Sequence, residues 1–113
     1  MEDNKSFAES GLHSYLVKCY ARLGYHHPTP IQFYSMTTFK QNHCDSIMAQ
    51  SKSGTGKTLS YLSILLSHCL ENPSTTQKCS YLIILPTREL SLQVYQNLKE
   101  IVNICQNIKA ETE

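Results

Sequence analysis

The stretch Ser51-Lys52-Ser53-Gly54-Thr55-Gly56-Lys57-Thr58 constrains this chain more than any other. It follows a short apolar run, Ile47-Met48-Ala49, and leads into an apolar helical pattern from Leu59 to Leu70. Strand, glycine-rich turn, Lys-Thr and helix together form an arrangement that cradles nucleotide phosphates. Backbone N–H groups in the turn and at the helix start point at the anion. Gly54 and Gly56 let the backbone come close and take positive φ. Lys57 is placed to reach the β and γ phosphates, and the Thr58 hydroxyl to ligate Mg²⁺. The general pattern begins with Gly, and Ser51 stands there instead; Ser is small enough for the turn to survive. A flexible Gly/Ser/Thr linker has the same composition, but it needs no strand pattern before it and no helix pattern after it.

A chain of 113 residues suits one small domain. With 41% apolar residues it has enough material for a core. The net charge of +1 argues neither for nor against a nucleic-acid partner, so any basic surface is local. The five cysteines, Cys19, Cys44, Cys69, Cys79 and Cys105, show no metal-ligand spacing. An odd number of thiols suits a reducing compartment, so the expected location is intracellular, cytoplasmic or nuclear. Residues 1–6 are polar, lack the apolar centre of a signal peptide and are expected as a disordered start. No apolar run reaches the ~20 residues of a membrane span, so no membrane partner is expected.

Apolar residues at Leu12, Tyr15, Leu16, Cys19, Tyr20 and Leu23 predict a first helix, ended by Gly24. Pro28 and Pro30 force an extended path before them. Thr29 is a good N-cap with Pro30 at the first helical position, predicting a second helix to about Lys40. Gln32 lies in its first turn, where a side-chain amide offers a donor and an acceptor together, a fork that suits the edge of an adenine. Taken alone, such a Gln is usually an ordinary helix residue, and Phe7 an incidental aromatic.

Residues 46–50 are expected as the strand before the nucleotide loop, and 58–70 as the helix after it. Residues 71–80 read as a loop. Tyr81-Leu82-Ile83-Ile84-Leu85 is a continuous apolar run and predicts a strand buried on both faces. Thr87 is an N-cap for a long helix marked by Leu90, Val94, Tyr95, Leu98, Ile101, Val102 and Cys105. Residues 107–113 are expected to begin a further strand. Strands alternating with helices predict an α/β fold with a parallel sheet, whose ligands bind at the carboxyl ends of the strands. The phosphate loop and the Pro86-Thr87-Arg88 turn both fall at such ends.

Three separated motifs together resemble the first RecA-like domain of the DEAD-box ATP-dependent RNA helicases. Gly24-Tyr25, followed by Pro28-Thr29-Pro30-Ile31-Gln32, looks like that family's Q motif, with Phe7 as its isolated upstream aromatic. Ser51 to Thr58 is similar to motif I, where the family has Ala, not Gly, at the first position. Pro86-Thr87-Arg88-Glu89-Leu90 matches motif Ia. Residues 7–113 would then be the N-terminal part of a RecA-like phosphate-loop NTPase domain, truncated before its Walker B strand. By family topology the two strands present lack direct neighbours.

The resemblance implies roles residue by residue. Phe7 would stack on the base, with Tyr25 nearby, and Gln32 would hydrogen-bond the adenine. Ser51, Lys52, Ser53, Gly54, Thr55, Gly56 and Lys57 would form the ATP phosphate site, and Thr58 would hold Mg²⁺; Lys57 and Thr58 are the catalytic candidates. Pro86, Thr87 and Arg88 would grip the backbone of single-stranded RNA or of an RNA duplex end, contacts that carry no base specificity. Similarity of Lys52 to Thr58 and of the Glu71-Asn72 loop to a branch linked to small nuclear ribonucleoprotein assembly adds ribonucleoprotein partners to the expectations. Thr37, Cys44 and Ser46 depart from the residues usual in the family.

The chain contains no Asp-Glu-Ala-Asp. That tetrad supplies carboxylates for the Mg²⁺-bound water and the attacking water, so this chain alone is expected to hold ATP weakly and not to hydrolyse it. Two other readings are a short product that binds RNA or a partner without catalysis, and another phosphate-loop enzyme such as a small-molecule kinase. The latter leaves the Q-motif and Pro-Thr-Arg-Glu-Leu matches without a role.

Overall fold

The computed structural model describes residues 5–42, 46–52, 56–72 and 81–112. Among the described residues four α-helices carry the architecture: α1, Ser14–Arg22; α2, Pro30–Asn42; α3, Lys57–Glu71; and α4, Arg88–Thr112. A short 3₁₀ turn, Ala8–Ser10, precedes them. Helix α1 packs on α4 and α2 on α3, while α3 also touches α1 and the 3₁₀ turn rests on α2.

Local chemistry accounts for the helix ends. Helix α1 closes with Gly24 at φ 92°. The Tyr25 N–H donates to the Tyr20 carbonyl at 2.7 Å and the Gly24 N–H to the Ala21 carbonyl at 3.1 Å. This is the paired closure that a left-handed residue after the helix permits. Helix α2 opens with a reciprocal cap: the Thr29 N–H donates to Gln32 Oε1 at 2.9 Å, and the Gln32 N–H reaches Thr29 Oγ1 at 3.5 Å. At α4 the Leu90 N–H donates to Thr87 Oγ1 at 3.1 Å.

The core gathers around Tyr20, which is fully buried. Its ring meets Phe7 edge-on at 5.2 Å, and its hydroxyl lies 2.7 Å from Ser63 Oγ. Leu16 and Cys19 of α1 join Ile101, Cys105 and Ile108 of α4 beneath it. The Cys19 thiol donates to the Ile101 carbonyl at 3.5 Å. Helix α3 buries Ser60, Ser63 and Ser67 beside Leu62, so its inner face is small and polar as well as apolar. Ser67 Oγ accepts the His13 N–H at 3.1 Å, which ties the start of α1 to α3. Among the described residues no buried side-chain polar atom lacks a partner, as a core of this kind requires.

The expected α/β fold with a parallel sheet is not what forms. Among the described residues every regular element is a helix. Residues 46–50 and 81–85 have no strand pairing. The second run is not buried on both faces: Leu82 and Ile84 are 80% and 83% exposed, while Tyr81, Ile83 and Leu85 are half-buried. A strand's backbone groups are satisfied only by a neighbour, and these two segments do not supply one another's ladder. Residues 107–112, expected to start a strand, instead complete α4. Ile108 continues that helix's buried row, and Arg22 pairs with Glu111 at 2.7 Å on the surface.

Candidate functional site

Gly56 sits at φ 87° immediately before α3. That left-handed conformation suits a residue without Cβ, and here the space also demands it. A Cβ on Gly56 would fall 2.2 Å from Gln32 Nε2. The Gln32 amide donates to the Gly56 carbonyl at 3.2 Å, and the same carbonyl accepts the Ser60 N–H at 3.1 Å to begin α3. Gln32, 7% exposed, thus ties the start of α2 to the start of α3. Its Oε1 holds Thr29 and its Nε2 holds Gly56, leaving one N–H and one lone pair.

Tyr25, Gln32, Gly56 and Thr58 line one cleft of about 210 Å³ together with Asn97 and Glu100 of α4. Tyr25 is half-exposed, its ring perpendicular to Tyr20 at 6.1 Å. The first turn of α3 carries Lys57 and no acidic residue. A helix start with free N–H groups, a lysine and no carboxylate attracts anions. Lys57 is exposed and Thr58 half-buried. Lys57 lines a neighbouring pocket and not this cleft, so the start of α3 offers a cation and N–H donors that fit a phosphate group, while the Thr58 hydroxyl in the cleft fits its metal.

Other expected site residues lie elsewhere. Phe7 is 4% exposed, packed in the core against Tyr20, and does not line the cleft. Ser51 is half-buried and Lys52 exposed. Ser53, Gly54 and Thr55 lie outside the described residues. Pro86, Thr87 and Arg88 form an exposed turn at the start of α4. Thr87 Oγ1 is engaged as the helix cap, and among the described residues Arg88 has no ion-pair partner. Asn97 and Glu100 escape the sequence reading because they sit on the polar face of an amphipathic helix and belong to no motif.

A glycine at positive φ opens α3 beside a buried glutamine, and comparison with known proteins gives the chain its family. The model of the DEAD/DEAH box helicase family matches residues 29–113, and the chain belongs to that family. It is 34% identical over 101 residues to the ATP-dependent RNA helicase RhlB of Aeromonas salmonicida, covering 86% of this chain and 23% of that protein. It is 35% identical over 107 residues to DEAD-box ATP-dependent RNA helicase 16 of Arabidopsis thaliana, covering 92% of this chain and 17% of that one. The chain thus spans about a quarter or less of the length of these relatives. Among solved structures it resembles the RNA-helicase Prp28 from Chaetomium thermophilum bound to ADP. There the TM-score is 0.76 at 29% identity, over 92% of this chain and 25% of that one. Among the described residues no helix is long and apolar enough to cross a membrane.

Proposed function

We propose that this chain supplies the ATP-binding and RNA-backbone-binding elements of an ATP-dependent RNA helicase. The observation that carries the reading is the cleft that brings Tyr25, Gln32, Gly56 and Thr58 together at the start of α3. The helix start, with Lys57, attracts the phosphates, and Thr58 holds Mg²⁺, which when bound offsets phosphate charge. Gln32 is held by Thr29 and Gly56, so its remaining N–H and lone pair are presented to an adenine edge in a fixed direction. Phe7 supports Tyr20 behind the site, and a base that stacks on it must first expose it. Arg88, at the N-terminus of α4, grips RNA phosphates together with the helix N–H groups, without reading bases. The solved relative with bound ADP favours a nucleotide in this fold.

The chain by itself binds ATP weakly and does not turn it over, because it carries no Asp-Glu-Ala-Asp carboxylates. Equilibrium binding of ATP to the 113-residue chain and to Lys57→Ala tests the first half. Binding should be lost in the variant, and equal binding by both would refute the site. Phosphate release with and without single-stranded RNA tests the second half, where RNA-stimulated release contradicts it.

A further inference from the structure

We infer that Cys19 of α1 and Cys105 of α4 form an oxidation site, a thiol pair that a hydroperoxide converts to a disulfide joining the two helices. The pair lies outside the nucleotide cleft.

The two residues meet where α1 packs on α4. Both belong to the buried core, and both thiols are free. Cys19 Sγ lies 3.5 Å from the Ile101 carbonyl oxygen. Inside a helix that oxygen also accepts the N–H four residues on, here that of Cys105, at about 2.9 Å. Cys19 Sγ is therefore within roughly 6.5 Å of the Cys105 nitrogen. A disulfide needs its Cα atoms about 4.4–6.8 Å apart. Helices in direct contact reach that spacing, with axes about 8–10 Å apart and each Cα about 2.3 Å off its axis. Rotation of the two side chains then brings sulfur to sulfur. Cys69 is a further described thiol, but it is exposed on α3, which packs on α2.

A buried pair needs an entry for the oxidant. Cys105 lines a cavity of about 260 Å³ with Leu66, Leu70 and Lys109, and Cys19 does not line it. Cys105 is therefore oxidised first. The volume selects the oxidant: hydrogen peroxide fills about twice the ~30 Å³ share of one water, whereas a disulfide of two tripeptides is too large to enter. Lys109 stands one turn along α4 from Cys105. Burial pushes the Cys105 thiol up, and the Lys109 charge pulls it down. Burial, with the Cys105 thiol adding, also holds the Cys19 thiol at about 11. Only a thiolate attacks, so the reaction is slow at neutral pH and depends on Lys109.

The Cys105 thiolate attacks one peroxide oxygen, the O–O bond breaks, hydroxide leaves, and Cys105 becomes a sulfenic acid. Cys19 then attacks the Cys105 sulfur, so that the S–S bond forms and the S–OH bond breaks. The two thiols give up two protons and two electrons, and the peroxide is reduced to two waters.

Treating the full 113-residue chain with hydrogen peroxide, alkylating the remaining thiols and mapping its peptides without reductant tests this. A peptide pair joined through Cys19 and Cys105, lighter by two hydrogens than the separate peptides, should appear. Cys105→Ser should abolish it and leave Cys19 reduced, while Cys19→Ser should leave Cys105 as a sulfenic acid that dimedone captures. Cys19 is wholly buried, so a variant at the exposed Lys109 keeps the test independent of folding. Lys109→Ala should slow the crosslink about threefold and unfold at the parent's denaturant midpoint. A crosslink from Cys105 to any other cysteine in place of Cys19, one that forms only in denaturant, or none at all would overturn the pair. Crosslinking of Lys109→Ala at the parent rate would overturn the cavity as its route.

Discussion

The contact between α1 and α4 and the segment 81–85 are made from similar apolar residues and end in opposite states. Leu16, Cys19 and Tyr20 are buried against Ile101, Cys105 and Ile108. Leu82 and Ile84 are largely exposed, although they are as hydrophobic. A helix satisfies its own backbone and needs only a face to bury, which a second helix provides. An extended segment brings a row of unpaired N–H and C=O groups that another strand must satisfy. Apolar content alone therefore does not bury a segment; the backbone must also be accommodated.

The sharpest way to break this comparison is to remove side chains on each side of it. Leu62→Ala, in the fully buried core, should cost about 2–5 kcal/mol by denaturant unfolding. A loss below ~1 kcal/mol would mean that the helical core is loosely packed.

Alkaline pH should come next. Burial, with the Cys105 thiol adding, pushes the Cys19 thiol up to about 11 from its ordinary value of 9.0. Burial also raises the Tyr20 hydroxyl, against the pull of its Ser63 hydrogen bond. A raised folded value means that Cys19 contributes full stability below pH 9 and loses it as pH climbs towards 11. The loss should be on the order of 2 kcal/mol, measured by unfolding at a series of pH values. In Cys19→Ala the decline should be shallower, and an unchanged decline would rule out this thiol as its source.

Gly56→Ala should cost about 1–2 kcal/mol for the left-handed backbone alone. It should also push Gln32 off the Gly56 carbonyl, so that nucleotide binding falls together with stability. Stability loss with unchanged nucleotide affinity would separate the glycine's backbone role from the site.

The smallest effect belongs to Ile84→Ala, expected within about 0.5 kcal/mol of the parent chain because the side chain is already in water. A cost comparable to that of Leu62→Ala would show that segment 81–85 is packed and paired in solution.

Features legible in the residues were those decided within one or two turns of chain. Thr29 and Thr87 cap helices because their hydroxyls lie within reach of N–H groups three residues on. Gly24 ends α1 because it tolerates positive φ. The residues that form the cleft were recognisable at Tyr25, Gln32, Gly56 and Thr58, each carried by a motif. Other features depend on what comes near from far along the chain. Phe7 became core because Tyr20 offered it an edge. Gln32 became a tie between two helices because the Gly56 carbonyl lies within its reach. Asn97 and Glu100 line the cleft only because α4 packs beside it.

The amino-acid sequence by itself determined where α1 stops, where α2 and α4 start and which faces they bury, because each is set by side chains acting on nearby backbone; the end of α4 was not so determined, since residues 107–112 read as a strand start and are helical with Ile108 in the buried row. Whether 46–50 and 81–85 pair was left to the tertiary structure, because a ladder depends on a partner strand that no local pattern contains. Tertiary structure also decided that the cleft has a wall of α4, since only packing brings residues so distant in sequence to one surface.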